Sequence, residues 1–256
     1  MLRPQASSPP HGTRTAAHQA PGSSSEPWPT GTFIARLPPP ARADLLSLST
    51  PNRVPDKTVL IRQGEPSESI YLLRPVSRHV IACAKITALL ESGHEGLLGI
   101  RVSGDLIGEL GVVRGVRRSA TVTTCAPALV HAIGQSTFFR FLTEHPDAWS
   151  AVSATIADRL DWSNRWRLEF AAHDVLTRVA RALLMLAERH GYPTADGQDL
   201  GVSISQEELG RLIGAHRDAV VKCIALLRSR RLVKTGYRRI IITNPDNLRR
   251  LAFETV

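Results

Sequence analysis

Short hydrophobic runs, interrupted every few residues by glycine, proline, serine or aspartate, fill the chain between residues 33 and 137. These runs lie at 59–61, 70–73, 80–82, 97–102, 120–123 and 129–133. Their lengths and their regular spacing predict β-strands rather than helices. Several short strands of this kind favour a closed or double-sheet β architecture for the first half of the chain.

Near Ser136 the hydrophobic period changes from that of strands to that of helices. A short helix is predicted over 136–144, and a long one follows from Pro146 through a stretch without glycine or further proline. At 1.5 Å per residue the long helix would extend roughly 36 Å. Its face repeats at steps of three, four and seven through Trp149, Val152, Ile156, Ser163, Trp166 and Phe170.

Two partners are possible for the apolar face of this long helix. The helix could pack on its own β domain, or it could form a seam with a second copy of the chain. We favour the second copy, because a long helix between two domains exposes a face that its own core does not cover.

The sequence of the last third of the chain predicts a small helical domain that ends in a hairpin. Ser205 and Glu208 form a capping-box pair at the start of one helix, and Gly214 ends that helix. Helical periodicity resumes over 217–230, and a short hairpin is predicted over 232–242. A helix, a tight turn, a second helix and a basic hairpin together predict a winged helix-turn-helix.

The second helix of such a motif fits the roughly 12 Å major groove of DNA and presents its first residues to base edges. An arginine such as Arg217 can hold guanine O6 and N7, and an aspartate such as Asp218 can accept from cytosine N4. The predicted DNA contacts are His216, Arg217 and Asp218 at base edges, Lys222 at a base or a phosphate, Ser205 and Gln206 at phosphates, and Lys234, Tyr237, Arg238 and Arg239 on the wing. The alternative, that the basic helix is only a solvated face, is weakened by the capping box, the glycine and the hairpin.

A second motif lies within the β region, where Gly108, Glu109 and Leu110 are followed by Arg118 and Ser119. Glycine backbone allows a ligand to approach closely, and a glutamate accepts hydroxyl hydrogens. An arginine and a serine bind phosphate through charge-assisted hydrogen bonds, each contributing roughly 1.5–3 kcal/mol. These residues predict a small-anion site, with a structural ion pair between Glu109 and Arg118 as the alternative.

Composition narrows the possible functions. The net charge of +9 favours a polyanionic partner, either nucleic acid or an acidic membrane surface. No run approaches the roughly 18 apolar residues of a spanning helix, so no integral membrane protein is expected. The three cysteines are far apart in the sequence, which argues against a disulfide scaffold or a thiolate metal site and suits a reducing cytoplasm. No catalytic triad, metal-ligand spacing or P-loop indicates an enzyme.

These features divide the chain into four predicted segments. Residues 1–32 are rich in proline, serine and alanine and are predicted to be a disordered tail. The β domain covers 33–145, the long helix and a hinge cover 146–173, and the DNA-binding domain covers 174–256. Asp174, a predicted N-cap, marks the hinge.

In this order, the two motifs and the long helix between them resemble the Crp/Fnr family of transcription regulators, and most closely its cyclic-AMP-binding members. The resemblance implies an α+β protein with an N-terminal cyclic-nucleotide-binding β-roll (a double-stranded β-helix), a long dimerisation helix and a C-terminal winged helix-turn-helix. It implies that Glu109 holds the ribose 2′-hydroxyl and that Arg118 and Ser119 hold the cyclic phosphate. Ser163 and Asn164 fall where the family contacts adenine, from its own subunit and from the partner respectively.

The function that the resemblance implies is a cytoplasmic homodimer that binds a palindromic operator in double-stranded DNA and contacts RNA polymerase. Its allosteric ligand would be cyclic AMP or another cyclic nucleotide, and no catalytic cofactor or metal is expected. Two other functions stay open: a regulator of the same fold that responds to another effector or to none, and a cyclic-nucleotide-binding signalling module without DNA contact.

Overall fold

The structure is a computed structural model that describes residues 28–77, 82–89, 91, 93, 95–237 and 239–254. Most of the predicted tail therefore lies outside the described residues, as do residues 80 and 81 of one predicted strand. Trp28 and the buried Thr32, at the end of the predicted tail, pack beside the helices that begin the folded part.

Two four-stranded antiparallel sheets form the β domain, in the orders β1-β8-β3-β6 and β2-β7-β4-β5. Both sheets contribute to one buried cluster, which includes Leu73 and Val130 from the first sheet and Ala84 and Val122 from the second. The predicted double-sheet architecture is therefore confirmed. The strands are β1 (Asn52–Val54), β2 (Val59–Ile61), β3 (Ser69–Pro75), β4 (Cys83–Leu89), β5 (Glu95–Val102), β6 (Leu106–Ile107), β7 (Thr121–Thr124) and β8 (Ala128–Gly134).

Sequence reasoning missed one strand and several short elements of this domain. The fourth strand covers Cys83–Leu89, beyond the predicted run at 80–82, and it was missed because its alanine, lysine and threonine residues weaken the hydrophobic signal. The helices α1 (Phe33–Arg36), α2 (Pro39–Ser47) and α3 (Glu109–Arg114) are too short for a period to show. Of these, α3 matters most, because it lies inside the predicted anion motif.

The predicted helices on the C-terminal side of the β domain are confirmed: α4 (Gln135–Glu144), α5 (Pro146–Ala172) and α6 (Val175–His190). The first turns of α5 pack on their own domain, where Val152 is buried. Farther along, the Leu160 and Leu168 side chains are 58% and 71% exposed. The first turns of the long helix are thus covered by their own domain, whereas Leu160 and Leu168 are left exposed by the described part of the chain. The side chains of Trp166 and Phe170 lie outside the described part.

The C-terminal domain has the predicted winged helix-turn-helix, extended by a second hairpin and a final helix. Its strands form one antiparallel sheet in the order β11-β12-β10-β9, so the Asp196-Gly197 hairpin pairs with the wing. Asp174 caps α6 by accepting from the Thr177 N–H at 2.8 Å, which confirms the predicted N-cap. The elements are β9 (Tyr192–Thr194), β10 (Gly197–Asp199), α7 (Gln206–Ile213), α8 (Arg217–Ser229), β11 (Val233–Gly236), β12 (Arg239–Ile242) and α9 (Pro245–Phe253).

Candidate anion cavity and helix-turn-helix surface

The five residues predicted for the anion site line one cavity between the two sheets and α5. They are Gly108, Glu109, Leu110, Arg118 and Ser119. Gly108 has a φ of 83°, in the left-handed region, and caps the N-terminus of α3. A Cβ at this position would collide with the Arg118 guanidinium. Only glycine allows the backbone turn and the close approach of this arginine together.

Arg118 is buried and is held in place by backbone carbonyl groups. Its Nη1 donates to the Gly108 carbonyl oxygen at 2.8 Å, and its Nη2 donates to the Ser69 carbonyl oxygen. Burial lowers the pKa of Arg118, although nearby Tyr71 and Glu109 partly counter this. The guanidinium therefore lies in the cavity wall in a fixed orientation, with no carboxylate paired to it among the described residues.

Glu109 pairs with Arg159 of the long helix, and not with Arg118 as the alternative interpretation held. Arg159 Nη1 donates to Glu109 Oε1, and Arg159 Nη2 donates to the Leu106 carbonyl oxygen at 2.8 Å. This pair connects the anion motif directly to α5. Glu109 is 3% exposed, and an ion pair with Arg159 offsets the cost of burying its carboxylate.

Two further arginines, Arg101 and Arg159, line the cavity, and sequence reasoning did not assign either to the site. Arg101 interrupts the hydrophobic run at 97–102, and a charge inside a buried strand is the signal that could have identified it. Ser163 and Asn164 do not line the cavity: Ser163 is exposed, and Asn164 is half-buried. Arg159, one helical turn earlier, is the residue through which α5 faces the cavity.

The helix-turn-helix geometry follows from its capping and turn residues. Ser205 Oγ accepts from the Glu208 N–H at 3.2 Å, and Glu208 Oε2 accepts from the Ser205 N–H at 2.8 Å, which confirms the capping box. Gly214 has a φ of 63° and ends α7, as predicted. A Cβ on Gly210 would lie 2.6 Å from the Ala215 carbonyl oxygen, so the turn also requires glycine there.

The predicted base-reading residues share one exposed end of α8. His216 is the N-cap, and Arg217, Asp218 and Lys222 follow on the first turns. All four are exposed, while Val220, Ile224 and Leu227 hold the opposite face of the helix in the core. No ion pair engages these four side chains within the described residues.

On the wing, the hairpin of β11 and β12, two of the basic side chains predicted to contact DNA are engaged in ion pairs. Lys234 pairs with Asp196 at 2.6 Å, and Arg239 pairs with Asp199. The Tyr237 side chain at the tip is 94% exposed. Arg238, which we predicted as a DNA contact, lies outside the described residues. At the start of α7, Gln206 is half-buried and Ser205 is engaged in the capping box.

The DNA-binding domain contacts the β domain through α7, which packs on β4 and β5. Lys85 Nζ donates to Glu208 Oε1, and Arg211 Nη1 donates to Glu95 Oε2 at 2.8 Å. Apolar residues of β5, including Leu97 and Ile100, join the core of the DNA-binding domain. We call these two ion pairs and the apolar packing the docking contact. The helix whose N-terminus is predicted to contact phosphates is thus held against the β domain.

Other chemistry is sparse in the described part of the chain. It holds no group of three or more His, Cys, Asp or Glu side chains that could bind a metal ion. None of its helices combines the length and the apolar character that a bilayer crossing requires. Cys83, Cys125 and Cys223 are free thiols. A hydrogen bond with Cys125, together with burial, raises the pKa of the Cys83 thiol.

Comparison with protein families finds two matching domains in this chain. The model of the cyclic nucleotide-binding domain matches residues 51–145, and that of the Crp-like helix-turn-helix domain matches residues 177–251. The first match contains the anion cavity motif, and the second contains the helix-turn-helix.

Curated relatives are similar along most of the chain. The cAMP-activated global transcriptional regulator CRP of Escherichia coli O6:H1 is 30% identical over 193 residues, which cover 75% of this chain and 88% of the relative. A CRP-like cAMP-activated global transcriptional regulator of Mycobacterium tuberculosis is 27% identical over 216 residues, covering 84% of this chain and 93% of the relative.

Solved structures share the fold at lower identity. A CRP-family transcriptional regulator from Thermus thermophilus has a TM-score of 0.64 at 23% identity, covering 78% of this chain and 96% of that one. The c-di-GMP responsive global regulator CLP of Xanthomonas campestris has a TM-score of 0.66 at 21% identity, covering 80% of this chain and 99% of that one. Both similarities support the arrangement of β domain, long helix and winged helix-turn-helix.

Proposed function

Because this chain belongs to the Crp family of DNA-binding transcription regulators, we propose that a small anionic effector controls its binding to DNA. A cyclic nucleotide such as cyclic AMP is the first candidate for that effector. The observation that carries the proposal is the Arg118 guanidinium, buried in a cavity wall and oriented by two backbone carbonyl oxygens.

The cavity supplies the groups that a cyclic nucleotide needs. Arg118 and Ser119 provide donors for a phosphate, and charge-assisted hydrogen bonds of this kind contribute about 1.5–3 kcal/mol each. Glu109 provides an acceptor for a ribose hydroxyl. Because Glu109 also pairs with Arg159 of α5, a ligand that engages this carboxylate would act on the long helix.

On the DNA side, we propose that α8 reads base edges through His216, Arg217, Asp218 and Lys222. Their shared exposure on one end of the helix supports this assignment. Two recognition helices enter successive major grooves when they lie about 34 Å apart, which a two-fold dimer on a palindromic operator provides. We expect RNA polymerase as a further partner and the cytoplasm as the site of action.

The exposed part of the long helix supports the homodimer. Leu160 and Leu168 present apolar side chains that the described part of their own chain leaves exposed. A second copy of α5 packed along this part of the helix would bury them.

The docking contact supplies a means of control. Glu208 and Arg211 of α7 and Tyr237 of the wing line one cavity together with Asp56 and Lys57 of the β domain. Elements that we predict to contact DNA thus face the β domain, and we assign this arrangement to the state with low affinity for DNA. An effector can favour the other state only through its higher affinity for that state.

The test is calorimetry with cyclic AMP and cyclic GMP, together with DNA binding measured by fluorescence anisotropy. The duplex is one that the wild-type protein selects from a random pool. We expect Arg118→Gln to abolish nucleotide binding and the effect of nucleotide on DNA affinity. Arg114→Gln, an exposed arginine of α3, is the matched control and should change neither. Equal nucleotide affinity in wild type and Arg118→Gln would refute the cavity assignment.

A second candidate is a regulator of the same fold that responds to a different effector. The position of Ser163 favours it, because this residue is exposed and does not line the cavity. The curated relatives are described as cAMP-activated and the Xanthomonas neighbour as c-di-GMP responsive, so proteins of this fold respond to more than one nucleotide. Calorimetry that detects no cyclic mononucleotide binding, combined with selective DNA binding, would favour this candidate.

A further inference from the structure

Two of the three cysteines face each other across neighbouring strands of the β domain. Ala84 of β4 pairs with Thr124 of β7 in antiparallel register, so the residues one position further along, Cys83 and Cys125, lie opposite each other. The Cys125 N–H donates to the Cys83 carbonyl oxygen at 2.8 Å. Opposite residues joined in this way have Cα atoms about 5.5 Å apart, within the roughly 4.4–6.8 Å that a disulfide spans. The backbone therefore already has the separation that a disulfide requires.

The side chains of this pair also meet. Opposite residues of an antiparallel pair project from the same face of the sheet, and Cys83 and Cys125 both pack against the hydrophobic core of the DNA-binding domain. Their thiols share a hydrogen bond that, together with burial, raises the pKa of Cys83. Cys83 therefore keeps its proton and donates it toward the Cys125 sulfur.

The two thiols differ in their access to solvent. Cys125 is half-buried and lines a cavity of about 340 Å³ at the docking contact, together with Ser203, Glu208 and Tyr237 of the DNA-binding domain. Cys83 is only 1% exposed. A small oxidant in the cavity would therefore meet Cys125 first, with the Cys83 thiol directly behind it.

The pair adjoins the docking contact at two points. Ser203, which lies between β10 and α7, donates its backbone N–H to the Cys83 sulfur. Lys85, two residues after Cys83 and on the same face of β4, forms the ion pair with Glu208. A change of covalent state at Cys83 would therefore act on the contacts that hold the DNA-binding domain against the β domain.

We propose that Cys83 and Cys125 are a peroxide-sensitive dithiol whose oxidation to a disulfide weakens the docking contact. The S–S bond brings the two sulfurs from hydrogen-bonding contact to about 2.05 Å, so Cys83 Sγ turns toward Cys125 and away from the Ser203 N–H. Disulfides that form transiently in reducing compartments commonly serve redox sensing. The effect on DNA rests on the low affinity that we assign to the docked arrangement, whereas the oxidation itself does not.

The oxidation proceeds in two steps with hydrogen peroxide as the oxidant. The Cys125 sulfur attacks one peroxide oxygen, an S–O bond forms, the O–O bond breaks, and the departing hydroxide leaves as water with the Cys125 proton. The Cys83 sulfur then attacks the sulfenic acid at Cys125, the S–S bond forms, the S–O bond breaks, and hydroxide leaves as water with the Cys83 proton. Two thiols lose two electrons in total, and one peroxide is reduced to two molecules of water.

The first experiment identifies the disulfide. The reduced full-length chain is treated with hydrogen peroxide, its remaining thiols are alkylated, and its peptides are analysed by mass spectrometry. We expect one linked pair of peptides that contains Cys83 and Cys125 and that dithiothreitol separates. Cys223→Ser, which removes the thiol of α8, is the matched control and should form the same disulfide. With dimedone, which labels sulfenic acids, Cys83→Ser should be labelled at Cys125, and Cys125→Ser should not be labelled at Cys83.

The second experiment measures DNA affinity by anisotropy without effector. Oxidised wild type should bind the selected duplex about 3- to 10-fold more tightly than reduced wild type, the equivalent of one hydrogen bond lost from the docking contact. Cys223→Ser should respond as wild type does, and dithiothreitol should reverse both responses. Cys125→Ser should not respond to peroxide, and its half-buried position keeps the test valid if Cys83→Ser does not fold.

Three kinds of result would overturn the inference. If all thiols remain open to alkylation after peroxide treatment, or if the linked peptides contain Cys223, the dithiol assignment is wrong. If the disulfide forms and DNA affinity stays the same, the disulfide does not act on the docking contact. If oxidised protein binds DNA more weakly, the docked arrangement is not the low-affinity state, and that part of the proposed function fails. The effector cavity is not tested by these assays, because they contain no nucleotide.

Discussion

Replacing Lys85 by methionine should raise the affinity of the effector-free protein for DNA. Lys85 belongs to β4 and lies apart from the predicted DNA surface, yet its ammonium group pairs with Glu208 of α7. Methionine keeps an unbranched side chain of similar length and removes the charge. The substitution therefore weakens the docking contact and leaves every proposed DNA-contacting residue in place.

The size of the effect follows from the burial of the pair. The Lys85 side chain is 8% exposed and that of Glu208 is 23% exposed. Breaking a fully buried pair costs about 3–5 kcal/mol. Glu208 is partly solvated and keeps its hydrogen bond from the Ser205 N–H, so a smaller loss of about 1–2 kcal/mol is expected here. At 1.4 kcal/mol per factor of ten, the fraction of undocked protein should rise about 5- to 30-fold.

The assay is anisotropy of a labelled duplex selected by the wild-type protein, titrated without effector. Apparent affinity scales with the binding-competent fraction, so Lys85→Met should bind about 5- to 30-fold more tightly than wild type. Arg53→Met, at an exposed position on β1, loses the same charge and should leave the affinity unchanged. If Lys85→Met and wild type bind equally, the docked arrangement does not limit DNA binding. If binding becomes weaker, the docked arrangement is the active one.

Four other outcomes are expected. Burial raises the pKa of Glu208, but hydrogen bonds from Lys85 and Ser205 outweigh this, so the pKa is lower overall in the folded protein. The ionised Glu208 carboxylate therefore stabilises the fold fully at neutral pH, and this stabilisation is lost as pH falls below about 4.5. Thermal unfolding between pH 3 and 7 should show a shallower acid decline in Lys85→Met than in wild type, and identical profiles would contradict the pairing. Gly210→Ala should destabilise the protein by about 1–3 kcal/mol, because its Cβ meets the Ala215 carbonyl oxygen, while Gly134→Ala, with open space around it, should not lower the melting temperature. Arg217→Ala should weaken operator binding by about 1–3 kcal/mol and relax selectivity at one base pair, whereas an equal loss on all sequences would argue against base contact. Leu160→Glu combined with Leu168→Glu should convert a dimer to a monomer in sedimentation experiments, and an unchanged mass would place the dimer seam elsewhere.

Periodicity and capping were sufficient to predict most of the elements that carry both sites. The strand runs, the long helix and the capping box at Ser205 depend on residues close together in the chain, so local sequence determines them. The anion motif was recognisable for the same reason, because Gly108, Glu109 and Leu110 belong to one turn and Arg118 follows nearby. The helix α3 within that motif was missed, since six residues between left-handed glycines show no period.

What the amino-acid sequence alone could determine was the set of elements, the two motifs and the surplus of positive charge. Which charges meet was decided by tertiary structure. Glu109 is 50 residues from its partner Arg159, and Lys85 is 123 residues from Glu208. Arg101 and Arg189 are brought to one cavity from different domains. Side-chain pairing at such separations depends on how sheets and helices pack, and the local preferences of the chain contain no information about that packing.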